Sequence, residues 1–534
     1  MKKTLVMVLA LALVFGVALT ACTSKPAATP SPTAAATEAA SVAPSTEATP
    51  SAPATKDTLT ENRPVLKFLV GGRTYDPNED IPCKKMMELT GYQVKYEMLP
   101  TSNGDEKLML EMSSGTEYDL VELSGTMFGR LADIGVLTAL DKYLADYGDY
   151  IVPAVSDLAW KASKNAAGET VGLPRQSGDG IGITFGTRFD NVLMTKQEIL
   201  DELKLTVPTD LDSFTAFLKA IKAAKNVPPL TGLNVWQKDL MTAFGLPNIT
   251  WIETANGYVN IAEQPGFKDY IRYMAGLYKD GLLDPDLPIN KSENIDQKFT
   301  GTGAYVSQYA IWELPRLVPA LQANNLSKDL VMFSTPLKDK SGKYVLQNIS
   351  GVAKYYGVPK SSKAPEHAIN YMNLLSEPKI FMATHIGDEG THYEVKNGNY
   401  YPIFPAFNDL NWANQFIGVQ ERAVEFKQWQ ARVRKTAEMA VAYEFVNSNL
   451  PDATLVLDRS SFANGLPEVQ QNSQALATKL NDFMLKAIVE NKTTDEDFTA
   501  FLSDYMSSGG QAMKDAMSKW SKDNPTEYLE ELFK

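Results

Sequence analysis

From residue 65 to residue 123 the chain repeats one pattern: a short apolar run, then a helical stretch. VLKFLV at 65–70 is a β-rich run closed by Gly71-Gly72. A polar helix is predicted from about Pro82 to Leu89, with Gly91 as its cap. YQVKYEM at 92–98 alternates like a strand, 105–114 reads as a helix, and YDLVEL at 118–123 reads as the next strand. A β-α-β-α-β opening points to a parallel sheet with helices on both faces.

Helical signals continue downstream. Thr195-Lys-Gln-Glu198 reads as a capping box ahead of Ile199, Leu200 and Leu203, and Thr209-Asp-Leu-Asp212 as a second cap ahead of Phe214, Phe217, Leu218 and Ile221. Residues 266–280 set Phe267, Tyr270, Ile271, Met274 and Leu277 on one face, and Pro365 opens another helix. From about 466 onward the chain is mostly helical and amphipathic.

The first 63 residues obey different rules. Lys2 and Lys3 precede an uncharged apolar stretch at 4–20, which reads as a secretory signal at 1–21. Leu19-Thr20-Ala21-Cys22 looks like a bacterial lipobox, in which the Cys22 thiol is diacylated and becomes the mature N-terminus. The competing reading is an uncleaved anchor, since ~20 apolar residues suffice to span a bilayer. Either way the body lies on the extracytoplasmic face of the cell membrane. Of the 30 residues at 26–55, all but Glu38, Val42 and Glu47 are Pro, Ala, Ser or Thr, so no core can form there. Residues 22–63 are read as a lipidated Cys and a disordered tether. As a coil of ~40 residues it reaches roughly 35 Å, and as polyproline II at most about 120 Å.

Charge and composition remove several function classes. The 534 residues carry 51 Lys and Arg against 64 Asp and Glu, a formal charge of −13, which argues against nucleic acid as the main partner. Two Cys exclude a disulfide framework, and three His leave little room for a His-built metal site. His385, Asp388, Glu389, His392 and Glu394 fit no common zinc spacing. Lys164–Glu169 has too few carboxylates for a calcium loop. Gly301-Thr-Gly303 is not a dinucleotide fingerprint, and there is no Walker motif, so any ATPase is another polypeptide. No cofactor is expected.

Seven segments in order resemble the extracellular solute-binding proteins of bacterial ABC transporters, family 1, and within it the large LplA-type lipoproteins of sugar and oligosaccharide importers. They are DEKLMLEMSSGTEYDLVEL (105–123), GVLTALD (135–141), GETVGLP (168–174), LDELKLTVPT (200–209), LYKDGLLDP (277–285), VPKSSKAPEHA (358–368) and GDEGTHYE (387–394). The resemblance runs from about 65 to the C-terminus. It departs at 180–194, around Arg188, where the family shows a clearer aromatic run. It implies an α/β chain with the two-lobe, periplasmic-binding-protein-like fold of type II, its lobes joined by crossing hinge strands. The N-terminal lobe is placed at 64–182 plus 348–415, and the C-terminal lobe at 183–347 plus 416–534. The implied partners are a small carbohydrate and separate permease subunits, the body being a monomer held to the membrane by its lipid.

Sugar recognition needs flat aromatic faces for the C–H side of a ring, and carboxylates, amides and Arg for its hydroxyls. Trp236, Trp251, Trp312 and Trp412 lie in polar, loop-like stretches, whereas Trp160, Trp429 and Trp520 sit in helical contexts that suit packing. Residues 305–316 gather Tyr305, Gln308, Tyr309, Trp312, Glu313 and Arg316, the segment that the resemblance turns toward the cleft. In the other lobe, Arg73 and Tyr75 follow a strand, Glu122 and Ser124 end another, and Arg175, Gln176 and Asp179 follow the Gly-Leu-Pro strand. The expected activity is capture without catalysis. The alternatives are a secreted glycan hydrolase, which needs two carboxylates about 5–9 Å apart, and an adhesin that only holds glycan.

Overall fold

The structure is a computed structural model. It describes residues 59–525 apart from 74, 178–190, 327–328, 333–336, 339–341, 343, 350, 410–416, 421 and 450–452. Cys22, the tether, Asp179, Arg188 and Trp412 lie outside the described residues.

The opening repeat builds the first sheet. Strand β1 (Val65–Val70) pairs in parallel with β2 (Gln93–Met98) and β3 (Leu120–Leu123), setting Leu66 opposite Val94 and Phe68 opposite Leu120. The helix Ile81–Thr90 between β1 and β2 starts at Asp80, whose carboxylate accepts the Cys83 N–H, and stops at Gly91, where φ is +68°. A residue with a Cβ is strained there, so the glycine ends the helix for a steric reason. Strand β4 (Leu173–Ser177) joins from beyond several short helices.

Four strands make a second sheet: β5 (Asn191–Lys196), β6 (Leu230–Thr231), β9 (Val306–Ala310) and β10 (Leu330–Met332), in the order β10-β5-β9-β6. Only β6 and β9 run parallel there. A hairpin of β7 (Trp251–Thr254) and β8 (Gly257–Asn260) lies beside it in sequence. The chain then returns: β11 (Tyr344–Ile349) leads into β12 (Gly351–Gly357), which inserts antiparallel between β3 and β4 and completes the first sheet as β2-β1-β3-β12-β4. A second hairpin, β13 (Tyr393–Lys396) with β14 (Asn399–Pro402), follows. Finally β15 (Ala453–Asp458) runs parallel to β11.

Each large sheet has its own core. The first gathers Phe68, Tyr96, Leu120 and Tyr356. A second core, around Phe214, Phe267, Tyr270 and Leu480, draws on β5, β6, β9 and the C-terminal helices. These are the two lobes of the expected α/β fold. The chain crosses between them from β4 to β5 and from β11 to β12. Ile417 and Val419 are buried in the first core, so the first lobe extends beyond residue 415. Trp520 packs against both cores. Among the described residues, no helix is long and apolar enough to cross a membrane.

Candidate functional site

Ligand sites of open α/β sheets lie outside the carboxyl ends of the strands, and in the first lobe those ends carry an ionic cluster. The turn after β1 folds Arg73 back so that its Nη1 donates to the Gly71 carbonyl at 2.8 Å and its Nε to the Tyr75 hydroxyl at 3.2 Å. Glu122 on β3 receives Arg73 at 2.9 Å and Lys354 of β12 at 2.7 Å. Burial opposes ionisation of Glu122, but Lys354 and Arg73 outweigh it and hold the carboxyl below its usual range. Burial pushes the Tyr75 hydroxyl up to about 12. Arg175 on β4 reaches the buried Glu425 at 2.7 Å.

Two expected residues in this lobe serve local structure. The Ser124 hydroxyl accepts the Met127 N–H at 3.2 Å and caps the helix Gly125–Asp133. The Gln176 carboxamide exchanges hydrogen bonds with Ser156, accepting its N–H at 2.7 Å and donating to its hydroxyl at 3.1 Å. Sequence reasoning missed Lys354, Glu425, Arg432 and Lys435. Arg432 is buried and donates to the His385 carbonyl at 3.1 Å. Burial lowers its guanidinium to about 9, and burial together with the Arg432 charge lowers Lys435 to about 8. The available signal was a helix, Arg422–Arg432, too polar to bury an ordinary apolar face.

In the second lobe a cavity of about 450 Å³ opens at the carboxyl ends of β6 and β9. The loop after β6 contributes Asn234, Trp236 and Lys238, and β9 contributes Gln308 and Tyr309. The helix Ser292–Thr300 adds Asp296, the turn after β9 adds Glu313, and the helix Leu314–Ala323 that follows adds Arg316. Arg316 bridges both carboxylates, pairing with Asp296 and with Glu313 at 2.8 Å. The Tyr309 hydroxyl donates to Asp296 at 3.1 Å, and Glu313 also accepts the Ala310 N–H at 2.9 Å. Gln308 Oε1 accepts the Asp239 N–H at 3.1 Å. An indole thus stands beside amides, a bridged carboxylate pair and a cation, offering one apolar face and hydrogen-bonding groups of both signs. Among the described residues no histidine or cysteine lines the cavity.

The fold therefore gathers Trp236, Tyr309 and Arg316 in one cavity. Trp312 sits on the turn beside them, 42% exposed, with its ring edge-on to Trp429 at 6.4 Å. Trp251 stands apart: it is 6% exposed, starts β7, and packs against Tyr505 in the second core. Its polar neighbours Asn248 and Thr250 precede the strand, Glu253 and Thr254 lie within it and Asn256 is in its hairpin turn, which is why the segment reads as a loop. Tyr305 is buried beneath the Lys196 ammonium, 4.7 Å from its ring centre. Asp296 and Lys238 gave no signal in the sequence. Among the described residues no group of three His, Cys, Asp or Glu side chains is placed to hold a metal. Asp388 pairs with Lys85 at 2.9 Å, and His392 Nδ1 accepts the Asp388 N–H.

Known proteins place this architecture. A protein of Niallia circulans, described as an uncharacterized protein in the butB 5′ region, is 33% identical over 259 residues, which is 48% of this chain and 98% of that one. Solved structures share the two-lobe fold at low identity. The alginate-binding protein AlgQ2, solved without calcium ion, aligns at TM-score 0.64 and 16% identity, covering 86% of this chain and 98% of its own. The Streptococcus pneumoniae substrate-binding protein FusA in complex with kestose gives 0.63 and 15%, covering 86% and 99%. A human-milk-oligosaccharide (HMO) binding, ABC-transporter-associated protein of Bifidobacterium longum infantis gives 0.60 and 14%, again covering 86% and 99%. The profile of one family spans residues 83–392, which hold the second-lobe cavity and, in the first lobe, Glu122, Arg175 and Lys354: the chain belongs to the bacterial extracellular solute-binding proteins.

Proposed function

We propose that this protein is the lipid-anchored binding component of an ABC importer. It captures an oligosaccharide between its lobes and hands it to separate permease subunits. The observation that carries this reading is the second-lobe cavity, where Trp236 lies beside Tyr309 and the Arg316-bridged pair Asp296 and Glu313. An apolar face beside convergent donors and acceptors is what a sugar ring requires. The first-lobe wall of Arg73, Tyr75, Glu122 and Arg175 would close over the exposed edge of the ligand, with Trp312 at the rim. The structural relatives named for alginate, kestose and milk oligosaccharides support a carbohydrate ligand, and their being binding proteins favours capture over hydrolysis.

The test is a thermal-shift screen of the purified protein against a panel of mono-, di- and oligosaccharides, neutral and uronic, including kestose and alginate oligosaccharides. A panel member present at 100 times its dissociation constant adds about 2.7 kcal/mol to the folded state. The expected result is a marked shift with at least one oligosaccharide, abolished by Trp236→Ala. A shift with no sugar, or one indifferent to Trp236 and Arg316, overturns the reading. So does multiple-turnover release of reducing ends that one Asp or Glu substitution removes.

A further inference from the structure

We propose that Asn481, on the C-terminal helix Pro467–Val489, is a positioning residue of the ligand site, fixing the plane in which Trp236 presents its indole to the second-lobe cavity. The proposal rests on the reading of that cavity as the ligand site.

The loop that carries Trp236 is fastened along its backbone. The Asn234 side chain accepts the Trp236 N–H at 2.8 Å, and the Asn234 carbonyl accepts Gln237 Nε2 at 2.6 Å. The buried Tyr270 hydroxyl donates to the Val235 carbonyl at 2.5 Å and accepts the Gln237 N–H at 3.0 Å. The Asp239 N–H ties the loop to Gln308 on β9. These bonds fix where the Trp236 Cα lies. They leave its side-chain torsions free among staggered wells.

Among the described residues one hydrogen bond reaches the indole itself: Nε1 donates to Asn481 Oδ1 at 2.5 Å. An indole N–H only donates, so this acceptor selects one orientation of the ring. The acceptor is carried by a firm element. Leu476, Leu480 and Met484, on the same helix, are at most 1% exposed within the second core. A stacking platform acts through its area and plane, so holding the plane before the sugar arrives removes an ordering cost from binding. The C-terminal helix is thereby part of the site, although Asn481 does not line the cavity.

Two readouts on the whole chain test this. The first needs no sugar. The chain has seven Trp, and the Trp236 indole N–H resonance is assigned by its loss in Trp236→Phe. Asn481→Leu should speed hydrogen exchange of that resonance and leave the other six unmoved. The second uses the tightest-binding oligosaccharide of the panel. Asn481→Leu should weaken it about five-fold, the worth of one ordinary hydrogen bond, with the melting temperature held. Asn481→Asp, which keeps the acceptor, should restore parental affinity. In a Trp236→Phe background Asn481→Leu should change nothing, because a phenyl ring has no N–H. If Trp236→Phe weakens binding while Asn481→Leu does not, or if Asn481→Leu acts equally in both backgrounds, the positioning role is wrong and the site stands. If Asn481→Leu moves the indole resonance but neither substitution changes affinity, the cavity is not the ligand site, and the proposal falls with it.

Discussion

Glu122 is shared by two cations from different parts of the sheet, Arg73 after β1 and Lys354 on β12. All three side chains are at most 20% exposed, so the pair is not screened as a surface pair would be. Removing one partner of a buried pair costs about 3–5 kcal/mol, and Glu122→Gln should destabilise the protein by roughly that amount at neutral pH. The folded carboxyl ionises below the ordinary value of about 4.3. Its stabilisation is therefore full above that value and is lost as pH falls through the lower, folded value. Urea unfolding of parent and variant should show a gap at pH 7 that narrows toward pH 3. A gap independent of pH would mean that the charge of Glu122 contributes nothing. The tryptophans divide by the same reasoning. Trp251→Ala empties part of a core and should cost about 3–5 kcal/mol of stability. Trp236→Ala should leave the melting temperature nearly unchanged while weakening sugar binding by about 2–4 kcal/mol. Calorimetric binding and denaturant melts on both variants separate the two, and the reverse pattern would exchange their roles.

At the scale of elements, what the sequence made legible is what depends on nearest neighbours. The strands at 65–70 and 93–98 and the helix closed by Gly91 lie where the alternation and the glycine place them. The two helix caps slip. Thr195 is the penultimate residue of β5, fully buried, with its hydroxyl donating to the Tyr305 carbonyl at 2.9 Å, so it cannot cap the helix that begins at Gln197. In the second case Asp210, one residue after Thr209, makes the cap, through a reciprocal pair with Ser213. Local chemistry offers either residue, and only the extended backbone at Asp210 decides. Asp210→Ala should accordingly lower the melting temperature, whereas Thr209→Ala should not; equal effects would remove the distinction. The buried face of the helix Arg422–Arg432 was illegible for a different reason, although Trp429 already marked the stretch as helical. It buries Glu425, Gln428, Gln430 and Arg432, which an amphipathic pattern assigns to solvent. Their partners come from far along the chain: Glu425 meets Arg175 on β4, Gln430 accepts the Tyr400 N–H, and Trp429 meets Trp312. No window of sequence contains those pairs. The cavity was half legible for the same reason, since 305–316 is contiguous but Asp296 arrives from a separate helix.

Among the described residues the two largest cores belong to the two main sheets, and the proposed capture turns on how the connections between them bend. The parallel pair β11 and β15 lies at one crossing, with Gln347 Nε2 donating to Asp458 at 2.7 Å. Just beyond β15, Arg459 pairs with Glu253 of β7 and covers Trp520 at 5.1 Å, the residue that touches both cores. That crossing is thus anchored on the second-lobe side. The proposed anchoring of the body to the membrane is a separate matter, and on that proposal Cys22→Ser should release it to the soluble fraction with loss of lipid label. A variant still bound and labelled would sink the lipobox. Closure follows from where the candidate groups lie. A ligand shifts an open–closed equilibrium only by its difference in affinity for the two states. A sugar held by the second-lobe cavity alone has no such difference. One that also meets Arg73, Tyr75 and Arg175 favours the closed form. X-ray scattering should therefore show the radius of gyration falling when the parent is saturated with its best oligosaccharide. Arg73→Ala removes a first-lobe contact and spares the cavity. Saturated with the same sugar, it should bind through Trp236 yet compact less than the parent. If the parent does not compact at saturation, or if Arg73→Ala compacts as fully, the two lobes do not share the ligand, and capture takes place on the second lobe alone.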